Sequence, residues 1–131
     1  MRWRRIVQMT KSVLVIEDDR DARNMYSVVL ERAGYTVYQA EDGPDGVLKA
    51  REHSPTLCLL DIGLPSMDGW DVCRVLKTDP RTATIQIVVL TAHAFLHEQA
   101  QASGCTIIGF ITKPAAPMRV LDEIQRLIGL A

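Results

Sequence analysis

Five short apolar runs, each followed by a stretch of helical periodicity, limit this chain to very few folds. The runs are VLVI (residues 13–16), YTVYQA (35–40), LCLL (57–60), IQIVVLTA (85–92) and IIGFIT (107–112). They are rich in β-branched residues, and VLVI and LCLL have no polar alternation, as expected of strands buried on both faces. After the first run, Ala22, Met25, Tyr26, Val29, Leu30 and Ala33 recur at helical spacing, and Gly34 follows in the C-cap position. GPDGVLKAREH reads as a second helix with Val47 and Leu48 inward, ended by Pro55. A third helix turns Val72, Val75 and Leu76 inward, a weaker fourth lies around residues 95–103, and a fifth carries Val120, Leu121, Ile124, Leu127 and Ile128 on one stripe.

Parallel neighbours need crossover connections, and these are right-handed. Five strand–helix repeats therefore predict an α/β fold, a (βα)5 doubly wound parallel sheet ordered 2-1-3-4-5, in a three-layer sandwich. Binding sites in such sheets form beyond the carboxyl ends of the strands. With 131 residues the chain suits one domain, large enough to bury a core without a disulfide or metal. Residues 12–131 are read as that domain and 1–11 as a poorly ordered N-terminal extension, because MTKSVLVIEDD would itself make a natural start. On the sequence alone no fused output domain is expected.

Charge behaves locally. The net charge of -1 gives no general attraction to nucleic acid or to an acidic membrane. The basic opening MRWRRIVQM lacks the apolar region and cleavage site of a signal peptide, and no apolar stretch approaches a membrane span. Three cysteines are an odd count without CxxC spacing. Cys58 and Cys73 read as small core residues rather than ligands or redox partners, which fits a reducing cytosol.

The run SVLVIEDDRD breaks from buried strand into four acids. Glu17 and Asp18 end the first strand, and Asp61 ends the third. In the order 2-1-3-4-5 these strands are adjacent, so the three carboxylates converge. Thr91 and Lys113 end the fourth and fifth strands on the same rim. Close carboxylates raise one another's pKa unless a cation neutralises them. An all-oxygen, partly hydrated site suits Mg²⁺. A metal there, with Lys113 opposite, leaves Asp61 able to attack a phosphoryl group, with catalysis mainly by positioning and electrostatics.

In this order and at these strand ends, VLVIEDD, LLDIGLPSMDGWDV, VVLTAHA and FITKP resemble the receiver domain of two-component response regulators, over about residues 12–130. The resemblance implies a flavodoxin-like architecture with Asp61 as phosphoacceptor. It implies Asp18 and Asp61 as direct Mg²⁺ ligands, Glu17 as a ligand through water, and the backbone carbonyl of Gly63 completing the protein's share. Lys113 would pair with the phosphoryl group, Thr91 would hydrogen-bond it, and Phe110 would be the aromatic switch that moves inward with Thr91. The Lys113–Pro114 bond is usually cis in the family. A sensor histidine kinase or phosphotransfer protein would donate the phosphoryl group, and a downstream protein would read the face formed by the fourth helix, fifth strand and fifth helix, where receivers also dimerise. Such a domain is a cytoplasmic signalling switch rather than an enzyme, though it assists its own phosphotransfer and dephosphorylation.

Other acids take plainer roles. Asp19 and Asp21 read as capping and dipole partners of the first helix, and Asp68 as a turn residue before Gly69. His93 and His97 have zinc-compatible i, i+4 spacing but no third ligand, so an exposed helix face is expected; His93 could instead alter phosphate lifetime. SGCTIIGF departs from the family's usual AGCDGY-like run, which suggests a shorter fourth helix and a fifth strand longer at its start. An aspartate-nucleophile phosphatase would need an acid two positions after Asp61, where Gly63 stands. A nucleotide-binding module would need a glycine-rich loop after the first strand, where the acids stand. A degenerate receiver acting only as a scaffold is the remaining alternative.

Overall fold

The computed structural model describes residues 10–64, 67–92 and 104–131. Five parallel strands, β1 (Ser12–Ile16), β2 (Thr36–Ala40), β3 (Leu57–Asp61), β4 (Gln86–Thr91) and β5 (Gly109–Thr112), form one sheet in the order β2-β1-β3-β4-β5. Four helices are described: α1 (Arg20–Arg32), α2 (Gly43–His53), α3 (Gly69–Thr78) and α4 (Pro117–Ile128). The sheet order and class are those predicted. The helix expected around residues 95–103 lies outside the described residues, as do His93, His97 and residues 1–9.

The three layers follow from alternation along the central strands. On β1, Val13 and Val15 point to the face covered by α1 and α4, where Leu30, Val120 and Ile124 are buried. Leu14 and Ile16 point to the opposite face, where Val47, Val72 and Leu76 close over them from α2 and α3. A strand with apolar cover on both sides cannot alternate in polarity, which is why VLVI and LCLL read as continuous apolar runs. Burying each such side chain contributes roughly 1.5–3 kcal/mol. A helix cap contributes about 1 kcal/mol, so the two apolar layers dominate.

Helix ends obey local chemistry. The Asp19 side chain accepts from the Asp21 N–H and caps α1, as expected. Gly34, at φ +102, takes the left-handed turn after α1 that a side chain would oppose.

Several expectations need correction. Met25 is 55 % and Leu48 52 % exposed, so each lies outside the stripe assigned to it. Gly46, Val47 and Ala50 form the buried side of α2, its small residues letting the helix sit close to the sheet. The fifth strand is not extended at its start, since it begins at Gly109. Asp68 is more than a turn residue: its side chain accepts from the Trp70 N–H and caps α3. Cys73 is buried, as expected, but it is also joined to Cys105 in a disulfide. That pairing joins distant parts of the chain, so no local spacing announced it.

Candidate functional site

Register brings the acids together. β1 and β3 pair in parallel with Ile16 opposite Leu60, so the residues that follow, Glu17 and Asp61, come out side by side at the carboxyl edge. Glu17, Asp18 and Asp61 each offer a carboxylate oxygen, and all these oxygens lie within 4.8 Å of one another. Glu17 and Asp61 are buried, whereas Asp18 is exposed. Asp61 is held in rotation by the Gly63 N–H, which donates to its Oδ1 at 2.9 Å.

β4 and β5 supply the opposite wall. Thr91 and Thr112 are partners in register, and the Lys113 N–H donates to the Thr91 carbonyl at 2.7 Å. Lys113 Nζ then reaches back to Glu17 Oε1 at 2.9 Å, Glu17 Oε2 at 3.1 Å and Asp61 Oδ2 at 3.1 Å. The Lys113–Pro114 peptide is cis. An open cleft of about 360 Å³ is lined by Asp18, Asp61, Gly63, Thr91, Ala92 and Lys113. Phe110 stands on β5, partly buried against the cluster under α2 and α3.

One ammonium does not balance three carboxylates. Burial, the Asp61 carboxylate and their mutual hydrogen bond push Glu17 up to about 8, against the pull of Lys113. Burial also acts to raise Asp61, but hydrogen bonds from Glu17, the Gly63 N–H and Lys113 outweigh it and hold that carboxyl below its usual value. Lys113 is raised: burial opposes its charge, but the two acids win. The surroundings thus favour the ionised form of Asp61 and the protonated form of Glu17. A divalent cation would displace that proton, because it satisfies the same oxygens with more charge. The donor set is oxygen only, clustered and open to water on the Asp18 side, which fits Mg²⁺.

Glu17, Asp18, Asp61, Gly63, Thr91 and Lys113, the residues expected to carry the chemistry, therefore gather at one rim, with Phe110 on β5 three positions before Lys113. Sequence reasoning missed Arg23. Its Nη1 donates to the Glu17 carbonyl at 2.8 Å and its Nε to Gln39 Oε1 at 3.3 Å, tying the acid-bearing turn to β2. A basic residue one turn into the helix that follows the acids was the available signal. Ala92 was also missed: it lines the cleft beside Thr91, and its small side chain keeps that entrance clear.

Comparison with known proteins agrees with this geometry. The response regulator receiver domain family matches residues 13–125. The DNA-binding dual master transcriptional regulator RpaA of Synechocystis sp. is 36% identical over 116 residues, covering 88% of this chain and 48% of RpaA. The chain thus spans about half the length of that relative. The polar-differentiation response regulator DivK of Brucella ovis is 32% identical over 123 residues, covering 92% of this chain and 98% of DivK. Among solved structures, the chemotaxis response regulator CheY4 of Vibrio cholerae superposes with a TM-score of 0.83 at 27% identity, over 92% of this chain and all of that one. The chain belongs to the response regulator receiver domain family and is a two-component signalling domain with a flavodoxin-like fold.

Proposed function

We propose that the protein is a phosphorylation-dependent switch that accepts a phosphoryl group from a phosphohistidine onto Asp61. The observation that carries this reading is the position of Asp61 within one tight group: its carboxylate is oriented by Gly63 and in contact with Lys113 and two further acids. In the transfer an Asp61 carboxylate oxygen forms the new O–P bond as the P–N bond to the donor imidazole breaks. The leaving imidazole keeps the electron pair of that bond. Lys113 balances charge on the transferring oxygens, and the Thr91 hydroxyl hydrogen-bonds the group once attached. Asp18 and Asp61 would hold Mg²⁺ directly, Glu17 through water, and the Gly63 carbonyl would complete the set. When bound, Mg²⁺ supplies neutralisation of the phosphoryl oxygens and of the converging acids.

Attachment adds negative charge beside Thr91 and draws its hydroxyl toward Asp61, and Phe110 moves inward as space opens beneath. The altered face around β5, α4 and the helix expected near residues 95–103 then binds a downstream protein or a second copy. The partners are a sensor histidine kinase or phosphotransfer protein, in the cytoplasm. The domain assists its own phosphorylation and dephosphorylation but turns over no separate substrate. No helix among the described residues is long and apolar enough to cross a membrane.

Incubation with Mg²⁺ and acetyl phosphate followed by intact-mass spectrometry tests this reading. One acid-labile phosphoryl adduct, missing in Asp61→Asn, is the expected result. An adduct of equal yield in Asp61→Asn, or none in the wild-type protein, would overturn it.

A further inference from the structure

Cys73 on α3 and Cys105, just ahead of β5, are joined across 32 residues of sequence with their Cα atoms 6.1 Å apart. That spacing is one that disulfides span without moving the backbone. The bond lies in the apolar cluster against which Phe110 and Ile107 pack, so it ties α3 to the chain entering the strand that carries Phe110 and leads to Lys113. A domain of this size buries its own core and needs no crosslink to fold. Its presence at this place therefore calls for another explanation.

We propose that Cys73 and Cys105 form a reversible redox tether which, when closed, holds the approach to β5 against α3 and restrains the response of Thr91 and Phe110 to phosphorylation. This rests on the reading of Asp61 as phosphoacceptor. Both sulfurs belong to buried residues, Cys73 at 0% and Cys105 at 8% exposure, so Cys105 is the nearer of the two to an outside thiol or disulfide. The third cysteine, Cys58, is free and buried on β3, and burial pushes its thiol up to about 12. It does not compete in exchange, which requires a thiolate.

The oxidant is a small disulfide of the glutathione class. The Cys105 thiolate attacks one sulfur of glutathione disulfide, expelling one glutathione thiolate and leaving a mixed disulfide. The Cys73 thiolate attacks the Cys105 sulfur and expels the second glutathione. The two cysteine thiols lose two protons and two electrons, and glutathione disulfide takes them up as two thiols. A dithiol reductant reverses both steps.

A closed tether favours the arrangement present without the phosphoryl group. Linkage then requires reciprocity: the tether disfavours phosphorylation, and phosphorylation disfavours closure by the same factor.

The test uses the whole chain, reduced or treated with glutathione disulfide, beside Cys105→Ser. Alkylation under denaturing conditions with mass analysis reads the thiols, and acetyl phosphate with Mg²⁺ reads phosphoryl uptake. The oxidised protein should be about 2 Da lighter, with only Cys58 alkylated, and a dithiol should restore the other two thiols without unfolding. Its phosphoryl occupancy once uptake has levelled off should be about fivefold lower than that of the reduced protein, and Cys105→Ser should ignore the oxidant. A disulfide that never forms, one that a dithiol opens only after denaturation, or equal occupancy in both forms would each overturn the proposal. Absence of an adduct in every form would remove the Asp61 reading and the coupling with it, a failure the alkylation pattern separates from failure of the tether.

Discussion

Lys113 spans both carboxylate oxygens of Glu17, at 2.9 and 3.1 Å, while its third contact is Asp61 Oδ2 at 3.1 Å. One ammonium therefore divides its hydrogen bonds between an acid that orders the site and the acid proposed to react. Its donors are shared between the two acids, so removing it takes a hydrogen-bond partner from both.

Lys113→Ala should slow phosphoryl uptake about 10²-fold, the usual loss when one donor to a developing charge is removed. Asp61→Asn should abolish uptake altogether. Time courses of the adduct by mass spectrometry check both. Uptake by Lys113→Ala at the wild-type rate would mean that the ammonium serves only to fold the site.

Stability without a divalent cation should fall as pH rises from about 5 to 8. Glu17 is ordinary in the unfolded chain, with a value of 4.5, but is pushed up to about 8 in the folded one. Between those values the folded state binds more protons than the unfolded state, so raising the pH favours unfolding. Asp61, held low, acts only below its ordinary 3.8 and does not intrude on this window. Mg²⁺ should relieve the penalty, so the melting-temperature difference between metal-loaded and metal-free protein should widen with pH. A difference constant from pH 5.5 to 8 would contradict the proton-for-metal exchange.

Gly69→Ala should damage stability and site together. A Cβ there would come within 2.6 Å of the Ile62 Cα and 2.9 Å of the Asp61 carbonyl oxygen, both backbone atoms that cannot swing aside. α3 must move outward or the end of β3 must shift, at roughly 1–3 kcal/mol. Denaturant unfolding combined with phosphoryl uptake should show both quantities reduced, whereas a loss of stability alone would place the accommodation in α3.

Opening the Cys73–Cys105 disulfide should lower stability while leaving the fold intact. Closing a loop of 32 residues removes unfolded-chain entropy worth about 3.7 kcal/mol in the chain-entropy account. Matched thermal melts with and without a dithiol should differ by several degrees. Unchanged circular dichroism would confirm that the reduced chain remains folded.

The sheet order and the acid cluster were legible because each depends on short runs with strong signals. VLVI and LCLL announce buried parallel strands, and acids directly after them must emerge on the same edge. Helix faces were less legible. Met25 and Leu48 satisfy a helical spacing but lie beyond the arc that the sheet covers, and spacing alone does not give the width of that arc. The Cys73–Cys105 pair and the Arg23–Glu17 bond were invisible or nearly so, because each depends on where separate elements come to rest.

The amide bond from Lys113 to the Thr91 carbonyl makes a crosspiece between neighbouring strand ends. Hydroxyl and ammonium are thereby mounted on a common frame. Neither can lean toward an incoming ligand without tugging the other's anchorage. In the proposed switch an entering group would meet both at once, and a shift of that pair would run along β5 toward the partly buried Phe110 ring.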